Sequence, residues 1–284
     1  MMNPFRKTNH INIVDQEQTA EKKITLRDLF SLRWYIKQSS GWAPVSYILI
    51  LVALIGNFYV SFGMGAPVDW KTYLTYIASI LSIWCIGGIA NSSPVNGVGG
   101  LLSTTIYIIV ALAARNPADA LTQFIYVLVL DLPVLLMPSW SQDVDKKIRF
   151  IHETKTRGEK HSPSFWYSLL AVIAVVAFLA SYSIEVYLLK TPRPIADSLV
   201  LASGLVGAVL TTFRFSESTI FWVLQGCLQV VLWGLTAMHG DANWVLFYTY
   251  CLFLVNDVYM VGFSKWVHHK KETQAIVEAN KKNM

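Results

Sequence analysis

The sequence predicts an all-α integral membrane protein with eight transmembrane helices: two parallel three-helix repeats joined by a linker helix, plus one extra N-terminal span. Three observations predict this fold. Hydrophobic residues make up 54% of the chain and charged residues only 14%, with a mean hydropathy of +0.44, whereas soluble domains carry about 25% charged residues. Eight apolar stretches are long enough to cross a bilayer. Two parts of the chain also align with each other, which indicates an internal repeat.

The N-terminal segment, residues 1–43, is predicted to lie in the cytoplasm. Its first part, up to Glu21, has the polar composition of a disordered chain. From Ile24 to Lys37, apolar and basic residues alternate, which predicts an amphipathic helix at the membrane interface.

The eight predicted spans follow in order, and some of them cross the bilayer only with tilt. The extra span at 45–62 comes first, the first repeat covers 72–137, the linker span covers 165–189, and the second repeat covers 195–263. The individual spans are Val45 to Phe62, Thr72 to Ala90, Gly97 to Ala114, Ala118 to Met137, Phe165 to Leu189, Ile195 to Thr212, Ser218 to Met238 and Asn243 to Phe263. Residues 138–164 form a predicted cytoplasmic loop, and residues 264–284 a predicted cytoplasmic basic tail.

The distribution of basic residues predicts the orientation. Of the 23 lysines and arginines, 19 fall on the side of the membrane that holds both chain ends. The positive-inside rule therefore places both termini in the cytoplasm. The net charge of +5 is concentrated in segments beside the apolar spans, so it indicates a lipid surface and no nucleic-acid partner.

The sequence carries no pattern typical of an enzyme or a cofactor site. Its three cysteines are isolated within apolar stretches, which fits neither a disulfide framework nor a metal site. A phosphate-binding glycine loop, metal-ligand spacing and a nucleophile motif are all missing from the sequence. We therefore predict no enzymatic activity, no metal and no cofactor.

The internal repeat appears at an offset of 126 residues, where Asn96 to Trp140 aligns without gaps with Trp222 to Trp266. The pairs of most weight are Asp131 with Asp257, Trp140 with Trp266, and the aromatic match of Tyr107 with Trp233. One linker span separates the two repeats, so both cross the membrane in the same direction. In transporters with such repeats, the substrate site lies between them near the midplane.

A polar and aromatic face runs along the seventh span. Trp222, Gln225, Gln229 and Trp233 recur at steps of three, four and four residues, so they share one face of a helix. Unpaired amides are costly in hydrocarbon, so this face is expected to look into the protein or a wet cavity. A flat, polar, ring-bearing small molecule would suit it. The alternative is that these side chains only join neighbouring helices.

The end of the second repeat, YTYCLFLVNDVYMVGFSKW from Tyr248 to Trp266, together with the pattern of three spans, a linker and three spans, resembles the PnuC family of vitamin transporters. The resemblance covers roughly Thr72 to Trp266. It implies the 3+1+3 fold of the SWEET sugar transporters and a place in the bacterial inner membrane. It also implies facilitated uptake of nicotinamide riboside, which a cytosolic kinase traps by phosphorylation. Trimers occur within the resembled family, so a homotrimer is compatible with it.

One motif departs from the resembled family. The nicotinamide riboside branch carries Trp-x-x-Asn-x-x-x-Trp on the seventh span, and the matching positions here are Gly226, Gln229 and Trp233. Only the last tryptophan is retained, which leaves thiamine, riboflavin or deoxynucleosides open as substrates. A receptor or intramembrane enzyme is the other class, and it would need a soluble domain or paired catalytic groups that the sequence lacks.

These patterns predict a set of site residues. Trp233 is expected to stack on the substrate ring, Gln225 and Gln229 to bond its polar groups, and Trp222 and Tyr107 to complete the site. Asn256 is expected to line the pathway, with a structural helix–helix bond as the alternative. The intramembrane Asp131 and Asp257 are predicted to act as a gate or as braces between helices, in preference to a proton site.

Overall fold

A computed structural model describes residues 30–65, 68–113, 117–137, 140, 147–156, 159–191, 193–238 and 244–268. Within these residues the chain is almost entirely helical, and eight helices are long and apolar enough to cross a membrane. The prediction of eight spans is therefore confirmed. The first 29 residues, parts of the predicted loop 138–164 and the basic tail after residue 268 lie outside the described residues.

A short helix, α1 (Leu32–Ser39), precedes the spans. The spans are α2 (Pro44–Phe58, continuing as a π-helix over Tyr59–Gly63), α3 (Trp70–Ala90), α4 (Val95–Ala113), α5 (Pro117–Tyr126, then the π-helix Val127–Asp131 and Leu132–Leu136), α6 (Pro163–Ser183, then the π-helix Ile184–Leu189), α7 (Pro194–Thr212), α8 (Ser218–Met238) and α9 (Trp244–Phe263). Each predicted span overlaps one of these helices.

Helix starts explain most differences from the predicted bounds. Four spans begin at a proline, Pro44, Pro117, Pro163 or Pro194, just before the apolar run from which the prediction was made. Proline is favoured there because the first helical residue needs no N–H donor. The start of α3 is fixed by Asp69, whose carboxylate accepts a hydrogen bond of 2.9 Å from the Thr72 backbone N–H.

The amphipathic helix is shorter in the described residues than the prediction of Ile24 to Lys37, because it begins at Leu32. The predicted residues before Phe30 lie outside the described part. Two side-chain bonds attach α1 to the bundle: Trp84 Nε1 donates to Ser39 Oγ at 3.0 Å, and Ser93 Oγ donates to the Gln38 carbonyl at 2.9 Å.

The predicted loop before α6 contains ordered structure. A 3₁₀ turn, Ile151–Glu153, precedes a pair of two-residue antiparallel strands, β1 (Lys155–Thr156) and β2 (Glu159–Lys160). The Glu217 carboxylate at the start of α8 accepts hydrogen bonds of 3.0 Å from the Ile151 N–H. The loop is thereby attached to the turn between α7 and α8.

The helices pack in two groups around a common centre. Helix α4 packs against α3 and α5, and α8 packs against α7 and α9. The groups meet where α9 contacts α3 and where α5 contacts α7. Helix α2 lies against α3 and α9, and α6 lies against α7. Six helices therefore surround the centre, and α2 and α6 lie on its outside.

Two buried tryptophans connect the groups at one end of the bundle. Trp140 Nε1 donates to the carbonyl of Thr212 at the end of α7 at 3.2 Å, and Trp266 Nε1 donates to the carbonyl of Ile89 near the end of α3 at 2.9 Å. Both indoles are fully buried. We call these two bonds the indole clasps. The end of the bundle that holds them also holds α1 and Arg214, and we call it the basic end.

Helices α3 and α7 end in the same way at the basic end. Ser92 and Arg214 have left-handed backbones, with φ of 54° and 61°. The residue after each donates its N–H back into the helix at 2.8 Å, to Gly88 O in α3 and to Leu210 O in α7. This is the 6→1 bond of a Schellman ending, which satisfies a carbonyl that the helix leaves unpaired.

Candidate functional site

A cavity of about 110 Å³ lies between α3, α4 and α5 on one side and α8 and α9 on the other. By the same measure a water molecule needs about 10–15 Å³, so the cavity has room for a small organic molecule. Its lining consists of Ser82, Cys85, Ile86, Ile89, Gly100, Ser103, Thr104, Tyr107, Gln123, Tyr126, Leu130, Asp131, Trp222, Gln225, Gly226, Gln229, Tyr250, Phe253, Asn256, Asp257 and Met260. Among the described residues, α2, α6 and α7 contribute none of this lining.

The lining combines aromatic rings, neutral polar groups and two carboxyl groups. Lysine, arginine and histidine are all missing from the lining that the structure describes. Carboxyl groups in a membrane interior carry a large desolvation cost unless they are paired, which makes them candidates for function. The cavity therefore suits a neutral or cationic ligand with hydrogen-bonding groups and a flat ring.

Asp131 and Asp257 each lie against a glycine of the preceding helix. A Cβ on Gly100 would overlap the Asp131 carboxylate, and a Cβ on Gly226 would lie 3.4 Å from Asp257 Oδ2. Asp131 also accepts a hydrogen bond of 3.4 Å from Thr104 Oγ1. Both acids thus line the cavity while they pack within their own group of helices.

Two amides in the lining have polar atoms without partners. Asn256 is fully buried, and neither its Nδ2 nor its Oδ1 makes a hydrogen bond of 3.5 Å or less in the described part of the chain, although its side chain lies near the Asp257 carboxyl group. Gln229 is 2% exposed, and its Oε1 likewise has none. An unpaired buried polar group costs about 1–3 kcal/mol. These atoms are therefore the strongest candidates for direct contact with a ligand.

Gln225 already has a partner within the protein. Its Nε2 donates to the hydroxyl of Tyr126, on the opposite side of the cavity. The Tyr126 ring meets the Trp222 indole edge to face, with centroids 6.1 Å apart. Trp222 is held in turn by a bond of 2.8 Å from its Nε1 to Thr211 Oγ1. Tyr126, Trp222 and Gln225 therefore form one connected wall.

The structure places Trp233 outside the lining. Its indole stacks against Tyr250, with ring centroids 6.3 Å apart and planes 9° apart, and Tyr250 is the residue that lines the cavity. Gln229 is the last residue of α8 in the lining. Trp233 follows it by four residues, or about 6 Å along the helix, so it lies on the same face of α8 but beyond the end of the cavity. Of the predicted site residues, the structure brings all except Trp233 to the cavity lining: Tyr107, Trp222, Gln225, Gln229, Asn256, Asp131 and Asp257.

Several lining residues were not predicted from the sequence, among them Ser82, Gln123, Tyr126, Tyr250 and Phe253. Tyr250 and Phe253 carried a usable signal, because they precede Asn256 by six and three residues within the segment that resembles known transporters. The others lie on helices with no visible polar stripe, so their contribution depends on how the helices pack.

Towards the basic end the cavity is closed by apolar packing. Ile89, Leu130 and Met260 line its floor and belong to a core cluster that also contains Trp140 and Trp266. The indole clasps therefore lie directly behind the apolar floor of the cavity.

Eight spans, five of which line a central cavity that holds two carboxyl groups, define a multi-span membrane protein with a candidate small-molecule site. Residues 72–268 match the family described as nicotinamide mononucleotide transporter, and the chain belongs to that family. The fold is similar to the crystal structure of the vitamin B3 transporter PnuC, with a TM-score of 0.65 and 19% sequence identity over 85% of this chain and 99% of that one. A comparison with curated protein sequences gives no significant match. The predicted resemblance to PnuC transporters is thereby confirmed.

Proposed function

We propose that this transporter carries nicotinamide riboside across the membrane by facilitated diffusion. The observation that supports this proposal most strongly is the chemistry of the cavity. It holds two carboxyl groups and amide atoms without hydrogen-bond partners, but no basic side chain among its described lining residues. The family description supports a nicotinamide compound as substrate, and the cavity favours its nucleoside form.

The choice of the nucleoside over the mononucleotide rests on the charge of the ligand. Nicotinamide riboside has a positively charged pyridinium ring, which Asp131 and Asp257 can stabilise, and a carboxamide and ribose hydroxyls, which Asn256 and Gln229 can bond. The mononucleotide adds a phosphate group. Proteins bind phosphate chiefly with arginine, lysine or clustered N–H donors, and the described lining contains neither arginine nor lysine. The described lining therefore supports the nucleoside over the mononucleotide.

We further propose that α3–α4–α5 and α7–α8–α9 are parallel repeats, joined by the linker α6 and preceded by the extra span α2. Three paired features support this arrangement. The indole clasps are reciprocal, since each joins the last part of one group to the first helix of the other. Gly100 with Asp131 and Gly226 with Asp257 form the same contact at the 126-residue offset. The endings of α3 and α7 are also alike.

The paired aspartates fit the role of braces. Each packs against a glycine of its own repeat, so each can hold two helices of that repeat together while the repeats move relative to each other. Facilitated diffusion needs no coupling ion. Net uptake would then come from a cytosolic kinase that phosphorylates the nucleoside, because the product no longer fits the cavity.

The remaining elements of the proposal concern placement. The excess of basic residues supports a cytoplasmic location for the basic end and for both termini. The resemblance supports the bacterial inner membrane and a homotrimer. The proposal also places three segments in the cytoplasm: residues 1–43, the loop 138–164 and the basic tail 264–284.

Titration calorimetry of the purified protein tests the substrate. We expect heat of binding with nicotinamide riboside and none with its mononucleotide, and at least tenfold weaker binding after Asn256→Leu. Thiamine, riboflavin and deoxynucleosides serve as the comparison ligands. Binding of one of these in place of nicotinamide riboside would reassign the substrate, and tight binding of the mononucleotide would contradict the charge argument.

A further inference from the structure

Tyr126 and Gln225 are connected across the cavity, from α5 to α8. Gln225 Nε2 donates to the Tyr126 hydroxyl, and both side chains line the cavity. Gln225 is 6% exposed, so its amide has little freedom to turn unless this bond breaks. In the structure the amide nitrogen is engaged by Tyr126, so the amide oxygen is the end that a ligand meets.

A glycine on a third helix makes this contact possible. A Cβ placed on Gly204 of α7 would overlap the Tyr126 hydroxyl and lie 2.8 Å from Gln225 Nε2. Real Cβ atoms do not approach other atoms so closely, so any other residue at 204 would displace one of the two side chains. One helical turn along α7, Gly207 faces Trp222 at 3.4 Å, which is ordinary packing distance.

The direction of the bond has a chemical consequence. The two ends of a glutamine amide diverge, and one end is an acceptor while the other is a donor. Because the nitrogen is engaged by Tyr126, the carbonyl oxygen is the end directed towards a ligand. An acceptor at this position attracts an N–H₂ or hydroxyl group and repels a carboxylate.

We propose that Tyr126 is a positioning residue that fixes Gln225 as a hydrogen-bond acceptor, and that this pair selects a carboxamide ligand over the corresponding carboxylate. The proposal rests on the proposed function and deepens it by naming the group that is recognised. Gly204 has the supporting role of admitting the Tyr126 hydroxyl. Gln225 would then bind the carboxamide on the ring of the ligand, which leaves Asn256 and Gln229 for the ribose hydroxyls.

The test compares nicotinamide riboside with nicotinic acid riboside, which differ in this one group. Calorimetry should show that the wild-type protein prefers the carboxamide. In Tyr126→Phe the amide is free to turn and to offer its nitrogen to a carboxylate. We expect the preference to fall about threefold to tenfold, the range that one neutral hydrogen bond provides.

A matched glycine pair separates positioning from general packing. Gly204→Ala should reduce the preference as Tyr126→Phe does, whereas Gly207→Ala on the same helix should keep the wild-type preference. An unchanged ratio in Tyr126→Phe, with the protein folded, would overturn the proposal. So would an equal loss of preference in both glycine variants.

A second measurement needs no ligand and separates this proposal from the proposed function. Thermal unfolding of Tyr126→Phe, Gln225→Met and the double variant should show non-additive changes, because either single change removes the same bond. Additive changes would overturn the Tyr126–Gln225 pair whatever the substrate is. If the changes are non-additive but no nicotinamide nucleoside binds, the Tyr126–Gln225 bond is supported. The proposed substrate and the selection of its carboxamide are then wrong.

Discussion

The two proposed repeats match in their frame and differ in their polar groups. Each repeat supplies an indole clasp, an aspartate packed on a glycine and a first helix with a left-handed ending. The cavity, however, is lined by α3 but not by α7 in the described residues. At the 126-residue offset, Tyr126 and Gln225 correspond to Leu252 and Gly99, which cannot form the same bond.

The difference separates features that support the fold from features proposed to contact the ligand. Features present in both repeats join helices to one another, and they lie at the basic end or within one repeat. Several of the polar side chains that line the cavity, such as Gln225 and Asn256, have no polar counterpart at the 126-residue offset. A single asymmetric ligand makes different contacts with the two repeats, so symmetry in the frame and asymmetry in the site are compatible.

The largest expected effect concerns the indole clasps. Trp140→Ala and Trp266→Ala should each lower the free energy of unfolding by about 3–5 kcal/mol, because each removes a fully buried aromatic side chain. If the repeats share one frame, the two losses should be similar in chemical denaturation. The half-exposed Trp244 provides the control, and its replacement by alanine should have a much smaller effect. A large loss at only one clasp would contradict the shared frame.

Asn256 and its repeat partner Leu130 provide a sharper comparison of site and frame. Asn256→Leu gives the second repeat the residue of the first. Because the buried amide of Asn256 makes no hydrogen bond of 3.5 Å or less in the described part of the chain, this change should leave the unfolding midpoint unchanged or raised while it weakens nicotinamide riboside binding at least tenfold.

The matched change on the other side is Leu130→Ala. Leu130 is 4% exposed and packs in the cluster below the cavity, so its truncation should cost about 2–5 kcal/mol of stability. A loss of stability in Asn256→Leu would mean that Asn256 is a structural helix–helix contact instead of a ligand contact.

Gly100 and Gly226, which pack against the two aspartates, should differ in their tolerance of a methyl group. Gly100→Ala places a Cβ on the Asp131 carboxylate and should destabilise the protein by about 1–3 kcal/mol through overpacking. At Gly226 the nearest side-chain atom is Leu254 Cδ1 at 3.2 Å, which can shift. Gly226→Ala should therefore be close to neutral, since alanine also favours a helix. Equal midpoints for the two variants in thermal unfolding would contradict this asymmetry.

The smallest expected effect is at the start of the two first helices. Asp69 caps α3, and the backbone N–H of Thr72 lowers the pKa of this carboxyl from its usual value. In α7, Arg193 occupies the same position without a side-chain cap. Because the folded pKa of Asp69 is lowered, its contribution is complete above the unfolded pKa and disappears as the pH falls through the folded value.

Asp69→Ala should accordingly lower the unfolding midpoint slightly at neutral pH, and the gap to wild type should close under acidic conditions. Asp69→Asn is the matched control, because asparagine caps a helix but does not titrate. A gap that is independent of pH in Asp69→Ala would show that the carboxylate charge has no part in the cap.

The sequence predicted the eight spans well because long apolar runs are a local signal. Apolar runs indicated the spans, and the offset of 126 residues paired Trp140 with Trp266 and Asp131 with Asp257. It also predicted that Gln225, Gln229 and Asn256 face a common space. Amides in long apolar helices are costly in lipid, so their sequence positions alone indicate an interior.

The sequence could not predict how far the cavity extends or which side chains share it. Trp233 lies on the predicted face, but Tyr250 from the neighbouring helix covers it. Tyr126 reaches Gln225 only because α7 carries Gly204 behind it. Such contacts depend on the distance between helices that are far apart in sequence. That distance cannot be predicted from the spacing of residues along one helix.

Uptake into proteoliposomes tests the central claim, that the cavity passes a cationic nicotinamide nucleoside and excludes its phosphate. Vesicles that hold the wild-type protein should take up labelled nicotinamide riboside until the inner and outer concentrations are equal, with no further accumulation under a proton gradient. Vesicles with Asn256→Leu should take it up more slowly, and labelled mononucleotide should stay outside. Entry of the mononucleotide at the same rate, or accumulation driven by the proton gradient, would contradict the account.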